Sequence, residues 1–263
     1  MEMTGFKSFL FSDGEYEHLV YTKGEGKPVL IMHELPGLTS YTRNFAERLI
    51  DAGFQVYLPL LFGKLEEKGS VPKGYILCMT KEFGCLKAGT SAPVSDWLRA
   101  LVRHLGASMG NAKIGVIGMC VTGAFAIPLI LETNVGAAVA SQPAVPFKFG
   151  YWITGKGDGP WMSQLNISDD DLLMAGQAST NQGTPLLIQR FADDRLCPHA
   201  RVQRLQENFP NTGTLHEYDA PADGKNKHHA LLTEEYDKAN IPDANHPTRV
   251  ALQRLVAFLH LHL

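Results

Sequence analysis

Short apolar segments alternate along this chain with segments whose apolar residues recur every three or four positions. The first kind predicts buried strands, and the second predicts amphipathic helices. Predicted strands cover residues 6–11, 15–22, 29–32, 54–59, 113–117, 136–141, 185–191 and 214–218. Predicted helices begin near Thr39, Ser95, Ser168, Pro198 and Pro247. After an N-terminal hairpin, strands and helices therefore alternate, which indicates an α/β fold with a mostly parallel sheet and helices on both faces.

Two segments interrupt this alternation, at about residues 61–92 and 144–184. The first mixes Gly, Lys and Glu with scattered aromatic residues and shows no sustained period. A long segment of this kind is typical of a lid or a binding element, but a solvated insertion without a role is an equal alternative. Because no repeat or interdomain linker is visible, we predict one domain over 1–263 that carries two lid-like or irregular insertions.

Composition and charge narrow the class of protein. Hydrophobic residues make up 44% and charged residues 19% of the 263 residues, which is typical of a globular protein. The net charge of −3, without a basic block, argues against nucleic acid or an anionic membrane as a partner. The N-terminus lacks the features of a secretory signal, and no apolar run approaches the roughly 18 residues of a membrane span. We therefore expect a cytoplasmic protein, and its oligomeric state stays open.

The four cysteines do not form a recognisable framework. Their positions are 78, 85, 120 and 197, which do not give the close pairs of a structural zinc site and are too sparse for a disulfide scaffold. A bond between Cys78 and Cys85 is conceivable, but we expect reduced thiols. The histidines are scattered and no phosphate-binding Gly-rich loop is present, so we expect neither a metal nor an organic cofactor.

The sequence GMCVTG at residues 118–123 follows a buried strand and precedes Ala-rich helical sequence. A Gly two places before a nucleophile, at a strand-to-helix turn, is typical of the nucleophile elbow of α/β-hydrolases. Such a turn exposes the nucleophile, here Cys120, and directs the next N–H, that of Val121, at the oxygen that becomes charged. The alternative is that Cys120 packs as a small buried hydrophobic residue. This stretch alone does not decide between the two.

Candidates for the acid and the base follow in the chain order of an α/β-hydrolase. Asp194 comes after the strand at 185–191, while His228 and His229 lie in the loop after the last strand. Taken singly, Asp194 is better explained as a helix cap and each His as part of a solvated loop. Their joint occurrence in this order favours a catalytic set.

The loop after the first buried parallel strand supplies a fourth group. This loop often donates an oxyanion-hole N–H, and here it begins His33-Glu34, so the donor would be the amide of Leu35. A carboxylate beside a thiol disfavours the thiolate. Glu34 could instead take the thiol proton and keep Cys120 neutral until substrate displaces it. The alternative is that Glu34 pairs with an Arg or caps the next helix.

Four motifs in this order resemble the dienelactone hydrolase family over essentially the whole chain: residues 33–37 (HELPG), 118–123 (GMCVTG), 194–198 (DRLCP) and 229–231 (HAL). The resemblance implies the α/β-hydrolase fold and a Cys nucleophile. It also implies a role for each site residue: Cys120 as nucleophile, His229 rather than His228 as base, Asp194 as orienting acid, Glu34 as the carboxylate that controls the thiol, and the amides of Leu35 and Val121 as oxyanion hole.

The chain departs from the family at three points. Thr122 stands where the family commonly has Gly, and Thr233 stands where an Arg holds the substrate carboxylate. The segment between Ser141 and Pro185 is longer than expected for the family. We therefore expect a reshaped pocket that does not favour an anionic substrate.

The expected activity is hydrolysis of carboxylic esters or lactones, with neutral activated aryl esters preferred and phosphotriesters as a possible side reaction. Five aromatic residues of the two insertions would favour an aryl group: Phe62, Tyr75, Phe83, Trp152 and Trp161. Four cations could instead accept an anion: Lys81, Lys87, Arg99 and Arg195. The competing interpretation is a non-catalytic or redox-sensing relative that binds a small molecule, with Cys120 as an oxidisable switch.

Overall fold

An eight-stranded sheet runs through the computed structural model, which describes residues 3–65, 93–154, 156–157, 159–221, 223, 227–239 and 243–263. The strands are β1 (Lys7–Asp13), β2 (Tyr16–Lys23), β3 (Lys27–Met32), β4 (Phe54–Pro59), β5 (Ile114–Met119), β6 (Val135–Ser141), β7 (Leu186–Phe191) and β8 (Gly213–Tyr218). Their spatial order is β1-β2-β4-β3-β5-β6-β7-β8. The pairs β1–β2 and β2–β4 are antiparallel, and all later pairs are parallel.

The helices of the described residues are α1 (Ser40–Asp51), α2 (Val94–Ser108), α3 (Ala126–Leu129), α4 (Phe149–Thr154), α5 (Asp169–Gln182), α6 (His199–Asn208), α7 (Glu234–Lys238) and α8 (Pro247–His262). Short 3₁₀ turns lie at Cys120–Thr122 and Pro160–Met162. In the part of the chain that the structure describes, none of these helices combines the length and apolar character needed to cross a membrane.

Apolar residues cover both faces of the sheet. Phe45 of α1 and Leu255 of α8 belong to the cluster on one face, and Trp97 of α2 and Leu205 of α6 belong to the cluster on the other. Strands β3 and β5 carry almost only buried residues, as expected where a parallel sheet is covered on both sides. The predicted fold class, a mostly parallel sheet between two helical layers, is confirmed.

Local signals placed several element ends correctly. Thr39 caps α1 by accepting a hydrogen bond from the Thr42 N–H at 3.3 Å, and Ser168 caps α5 through the Asp171 N–H at 3.0 Å. Pro247 occupies the first turn of α8, where its missing N–H costs nothing. The N-terminal hairpin pairs Lys7 with Thr22. These predictions of starts and turns are confirmed.

The helix that opens at Ser168, inside the irregular segment predicted over 144–184, is longer than the short helix expected there. Residues 169–182 form the regular helix α5, which connects β6 to β7 in the parallel sheet. Its buried face consists of Leu172, Ala175, Gly176 and Ser179. Because this face is small and partly polar, the helix lacks the strong apolar stripe that marked the other helices. For the other insertion, residues 66–92 lie outside the described part of the chain.

The helix expected directly after Cys120, by contrast, is shorter than predicted. A 3₁₀ turn at Cys120–Thr122 comes first, and bonds between residues three apart follow, such as the Phe125 N–H to the Thr122 carbonyl at 2.9 Å. Only Ala126–Leu129 is α-helical, and it contains Pro128. Proline tolerates only the first turn of a helix, so this segment cannot continue as a long one.

Arg201 of α6 fastens the segment after β6 to the loop after β7. Its side chain is fully buried, and its guanidinium donates hydrogen bonds to backbone carbonyls alone. The acceptors, at 2.8 to 3.4 Å, are the carbonyls of Pro143, Pro146, Trp161, Gln164 and Leu196. Burial lowers the pKa of Arg201 to about 10, against the opposing charges of Cys197 and Asp194. The carbonyl dipoles thus take the place of a carboxylate partner.

Replacing Arg201 by Met is expected to destabilise the protein by about 3 kcal/mol or more, because several buried carbonyls lose their donor at about 1–3 kcal/mol each. Urea unfolding monitored by circular dichroism measures this loss. Arg204→Met is the matched control on the same helix: Arg204 pairs with the exposed Asp169, so about 1 kcal/mol or less is expected. Equal losses for the two variants would contradict this account of Arg201.

Candidate active site

Cys120 follows β5 directly and has a φ of 54°, in the left-handed region. Two glycines make this turn possible by close approach of the backbone. A Cβ at Gly118 would lie 2.2 Å from the Thr122 carbonyl oxygen, and a Cβ at Gly123 would lie 2.6 Å from the Cα of Pro143. Neither position can hold a side chain without a shift of the backbone.

Thr122 links the turn to the neighbouring strand. Its hydroxyl oxygen accepts a hydrogen bond from the Met119 N–H at 3.0 Å. The hydroxyl proton has three carbonyls within reach, those of Met32 at 2.9 Å, Met119 at 2.9 Å and His33 at 3.2 Å, and it can donate to one of them. The departure at residue 122 therefore places a hydroxyl between the end of β5 and the end of β3.

Asp194, at the end of β7, holds His229 in a defined orientation. The carboxylate is buried, and its Oδ1 accepts the N–H groups of Leu196 at 2.8 Å and Cys197 at 3.2 Å. Its Oδ2 lies 2.7 Å from Nδ1 of His229. Because an ionised carboxylate only accepts, Nδ1 of His229 carries a proton, and its Nε2 is left as the acceptor.

Nε2 of His229 is buried and has no hydrogen-bond partner among the described residues. Burial lowers the pKa of His229, but the charges of Asp194 and Cys120, the hydrogen bond to Asp194 and the close approach of Cys120 raise it well above its usual value of 6.5. Cys120 thus lies close to the imidazole without a well-formed hydrogen bond to Nε2. Such contacts often tighten only when substrate binds. The structure brings Cys120, His229 and Asp194 together.

Glu34 is buried beside the same histidine. Its Oε1 accepts a hydrogen bond from the Thr233 hydroxyl, while its buried Oε2 has no well-formed hydrogen bond to a described residue, although the Gln142 side chain lies close enough to lower the pKa of Glu34. Burial raises the pKa of Glu34, and the Thr233 bond and the charge of His229 oppose that rise. In the described residues no hydrogen bond joins Glu34 to Cys120. Thr233 itself is fully buried, so the side chain at this position contacts Glu34.

His33 sets the direction of the Leu35 amide, a role that the sequence did not reveal. Its Nε2 accepts the Leu61 N–H at 3.1 Å, so Nδ1 carries the proton and donates to the Glu34 carbonyl at 3.1 Å. A trans peptide is planar, with C=O and N–H on opposite sides. Holding the Glu34 carbonyl therefore turns the Leu35 N–H the other way, and this N–H donates to no described residue. A His before an acidic residue at a buried strand end was the available signal.

The amide of Val121 comes immediately after the left-handed residue Cys120. It lies in the 3₁₀ turn Cys120–Thr122, whose first N–H groups have no partner inside the turn. The Cys120 carbonyl is engaged by the N–H groups of Gly123 at 3.1 Å and Ala144 at 2.8 Å. The backbone on both sides of the sulfur is thereby fixed.

His33 stays neutral at physiological pH, because burial lowers its pKa to about 4. In the unfolded chain this group takes up a proton near its ordinary value of 6.5. Between these values the unfolded state binds one more proton, so the free energy of unfolding rises with pH by up to about 1.4 kcal/mol per unit. His33→Gln is expected to remove this contribution. Urea unfolding of both proteins at intervals from about pH 4 to 7 tests it, and equal slopes would contradict it.

Two of the five predicted aromatic residues can be placed. Phe62 is buried with its ring 4.3 Å from that of His33, next to the loop of Glu34. Trp161 packs against Tyr151 at 5.1 Å and under the Lys148 ammonium at 5.3 Å. Tyr75, Phe83 and the side chain of Trp152 lie outside the described residues. Of these two, Phe62 lies next to the loop that carries Glu34 and Leu35.

The predicted cations divide in the same way. Arg99 lies on α2, where it pairs with Glu132 at 2.7 Å and with Asp96 at 3.8 Å. Arg195 is partly buried and follows Asp194 in the chain. Lys81 and Lys87 lie outside the described residues. Arg99 is thus engaged in ion pairs with Asp96 on its own helix and with Glu132 after α3.

His228, the neighbour of His229, is held at both ring nitrogens. Its Nδ1 lies 2.8 Å from Oδ2 of Asp193, and its Nε2 lies 3.1 Å from Oδ1 of Asp223. Asp223, His228 and Glu235 place metal-ligand atoms within 4.8 Å of one another. Carboxylates already occupy both nitrogens of His228, so the arrangement is an ion-pair cluster. A cavity of about 450 Å³ beside it, lined by Asp223 and Glu235, includes none of the six predicted site residues.

The second described cysteine, Cys197, is fully buried, and burial raises the pKa of its thiol far above the ordinary range. It is therefore unreactive, and its amide serves only to hold Asp194. Both Cys120 and Cys197 are free thiols, and Cys78 and Cys85 lie outside the described residues.

Comparison with known proteins gives a consistent result. The profile of the dienelactone hydrolase family matches residues 18–260. Three solved structures have similar folds. A candidate dienelactone hydrolase from Klebsiella pneumoniae subsp. pneumoniae has a TM-score of 0.60 at 15% identity, over 97% of this chain and 98% of that chain. A dienelactone hydrolase-like promiscuous phosphotriesterase from metagenomic libraries has a TM-score of 0.63 at 14% identity, over 98% of each chain, and an esterase from Pyrococcus furiosus has a TM-score of 0.59 at 16% identity, over 98% of this chain and 92% of that chain. At these identities the structures show similarity of fold. No curated protein matches the chain.

Proposed function

This chain belongs to the dienelactone hydrolase family, and from that premise we propose that it is a cysteine hydrolase of carboxylic esters or lactones. Cys120 is the nucleophile, His229 the base and Asp194 the acid that orients it. The amides of Leu35 and Val121 form the oxyanion hole. The partner is a small-molecule ester or lactone, and we propose a cytoplasmic location.

The reaction proceeds in two stages. His229 takes the thiol proton, and the sulfur of Cys120 forms a bond to the carbonyl carbon, whose oxygen becomes an oxyanion held by the two amides. The C–O bond to the leaving group breaks, and the leaving oxygen receives the proton from His229. A water molecule, deprotonated by His229, then attacks the thioester, and the released thiolate regains its proton.

One observation carries this proposal: Nδ1 of His229 is bound to Asp194, while its Nε2, close to Cys120, has no well-formed hydrogen bond to any described residue. A general base needs an unoccupied acceptor nitrogen in a fixed orientation. His228 offers none, because Asp223 occupies its Nε2. This difference supports His229 as the base.

We further propose that Glu34 controls the charge of Cys120 through His229. In its ionised form, Glu34 favours the protonated imidazole of His229 by its negative charge. Because burial raises the pKa of Glu34, it also takes up a proton more readily than an exposed Glu. The unpartnered Oε2 is the atom that could accept the thiol proton when the side chains move closer. Thr233 holds the other oxygen in place.

The competing function is a redox-sensing or ligand-binding relative in which Cys120 does not turn over. The left-handed turn and the small exposure of Cys120, at 9%, suit either role. The oriented His229–Asp194 pair favours turnover, because a sensor thiol has no need of a general base. A burst of nitrophenol from an activated aryl ester, equal to one per chain, would support the hydrolase, and the absence of any acylation would support the sensor.

Cys120→Ala is expected to lower kcat for ester hydrolysis by at least about a thousandfold, since triad replacements in comparable enzymes cost this much. The matched control is Cys197→Ala, a buried thiol outside the proposed chemistry, which should keep kcat per folded molecule. Initial rates with a nitrophenyl ester measure both variants. Retention of more than about a tenth of kcat in Cys120→Ala would overturn the assignment.

We propose a preference for neutral, fairly apolar activated esters, with aryl esters first. Thr233 carries no charge and is buried with its hydroxyl bound to Glu34, so this position supplies no cation for a substrate carboxylate. Phe62 adds aromatic surface next to the loop of Glu34, and an unpaired buried anion would be costly. Phosphotriesters remain a proposed side reaction, in line with the promiscuous phosphotriesterase of similar fold.

The comparison that tests this preference is kcat/KM for a neutral aryl ester against an analogue that carries a carboxylate. A value at least about tenfold higher for the neutral ester is expected, equivalent to about 1.4 kcal/mol. Dienelactone serves as a second anionic substrate. A clear preference for either anion would mean that a cation such as Arg195 reaches the bound substrate, and the proposal would be withdrawn.

A further inference from the structure

The loops after β7 and β8 are joined by two histidine–aspartate contacts, not one. Asp193 and Asp194 are consecutive, and so are His228 and His229. The distances are 2.8 Å for the Asp193–His228 contact and 2.7 Å for the Asp194–His229 contact. The two contacts therefore lie side by side between the same two loops, and only the second contact, Asp194–His229, faces Cys120.

The first contact, Asp193–His228, is a buried ion pair. His228 is 1% exposed, and both of its nitrogens face carboxylate oxygens, those of Asp193 and Asp223. Because an ionised carboxylate only accepts, the ring must donate from both nitrogens, and it therefore carries a positive charge. Charge-assisted hydrogen bonds are roughly twice as strong as neutral ones.

Packing adds to this rigidity. The ring of His228 lies 5.4 Å from the ring of the fully buried Phe191, the last residue of β7. Arg190 holds the other side of the same loop by donating to the carbonyls of Ala192 at 3.0 Å and Asp194 at 3.1 Å. The backbone that carries Asp194 is thus fixed from β7, and the backbone that carries His229 is fixed through His228.

We propose that His228 and Asp193 are positioning residues that hold His229 in register with Asp194 and Cys120. This inference deepens the function proposed above and rests on it. His228 and His229 are joined by one peptide bond, so a change in the backbone at His228 also turns His229. Fixing the ring of His228 therefore limits the orientations that His229 can adopt. Asp223 completes the anchor by binding the remaining nitrogen of His228.

The test replaces His228 by Gln. Its amide nitrogen can still donate, but the side chain carries no positive charge and has no N–H at the position of the second ring nitrogen. The expected result is a fall in kcat of about tenfold to 100-fold, typical of residues that orient a functional histidine, with KM for a nitrophenyl ester changed less than about threefold. The curve of Cys120 alkylation by iodoacetamide against pH should also shift to higher pH, because a displaced His229 stabilises the thiolate less.

Asp193→Asn supplies the graded comparison, because its amide oxygen still accepts from Nδ1 of His228; its loss of kcat should be smaller. His262→Gln is the matched control, since His262 lies by the start of β6, at the opposite end of the strands. It should leave kcat and the alkylation curve unchanged. Thermal unfolding of each variant separates loss of fold from loss of activity per folded molecule.

Three outcomes decide the inference. A His228→Gln variant that is less stable but has unchanged kcat per folded molecule and an unchanged alkylation curve would overturn it. A larger loss at His228→Ala than at His229→Ala would also overturn it, because His228 would then be the base. If Cys120→Ala keeps activity, the proposed function fails as well, and the alkylation curve of Cys197→Ala carrying His228→Gln still reports on the anchor.

Discussion

The left-handed backbone of Cys120 is the constraint on which the rest of the site depends. A non-glycine residue at a φ of 54° is disfavoured, and it persists only where the surrounding structure determines it. Here the absence of a Cβ at Gly118 and Gly123 lets three backbone segments come together, and the Thr122 hydroxyl ties them to β3. The turn places the sulfur at the carboxyl edge of the parallel sheet, where the loops after β3, β7 and β8 also end.

Burial of polar groups at this edge is resolved differently for each residue. Asp194 accepts three hydrogen bonds and can remain charged. His33 remains neutral because its tautomer satisfies one donor and one acceptor. Arg201 is charged but surrounded by carbonyl oxygens. Of these four residues, Glu34 keeps a buried oxygen, Oε2, without a well-formed hydrogen bond to any described residue. Burial accordingly raises the pKa of Glu34.

The sequence predicted what depends on local pattern. Alternation of apolar runs and helical stripes identified the eight strands of the described sheet and the cap of α1, and the order of Cys120, Asp194 and His229 identified the groups that the fold brings together. It predicted only a short helix at α5, whose small, polar buried face packs on the sheet without an apolar stripe. It also missed His33, Arg201 and Asp193, because their roles come from contacts between segments far apart in the chain. Their partners are mostly backbone atoms, which leave no trace in residue spacing.

The doubled sequence at both loops, Asp193-Asp194 and His228-His229, shows where spacing alone reaches its limit. Each Asp lies within hydrogen-bond distance of one His, so residue type cannot separate the pairs. The second nitrogen of each ring does separate them: Nε2 of His228 meets Asp223, whereas Nε2 of His229 meets no described acceptor or donor. A histidine bound at both nitrogens by carboxylates is held as a cation and cannot accept a proton. The contacts of the second ring nitrogen therefore separate His228 from His229 as candidates for the proposed base.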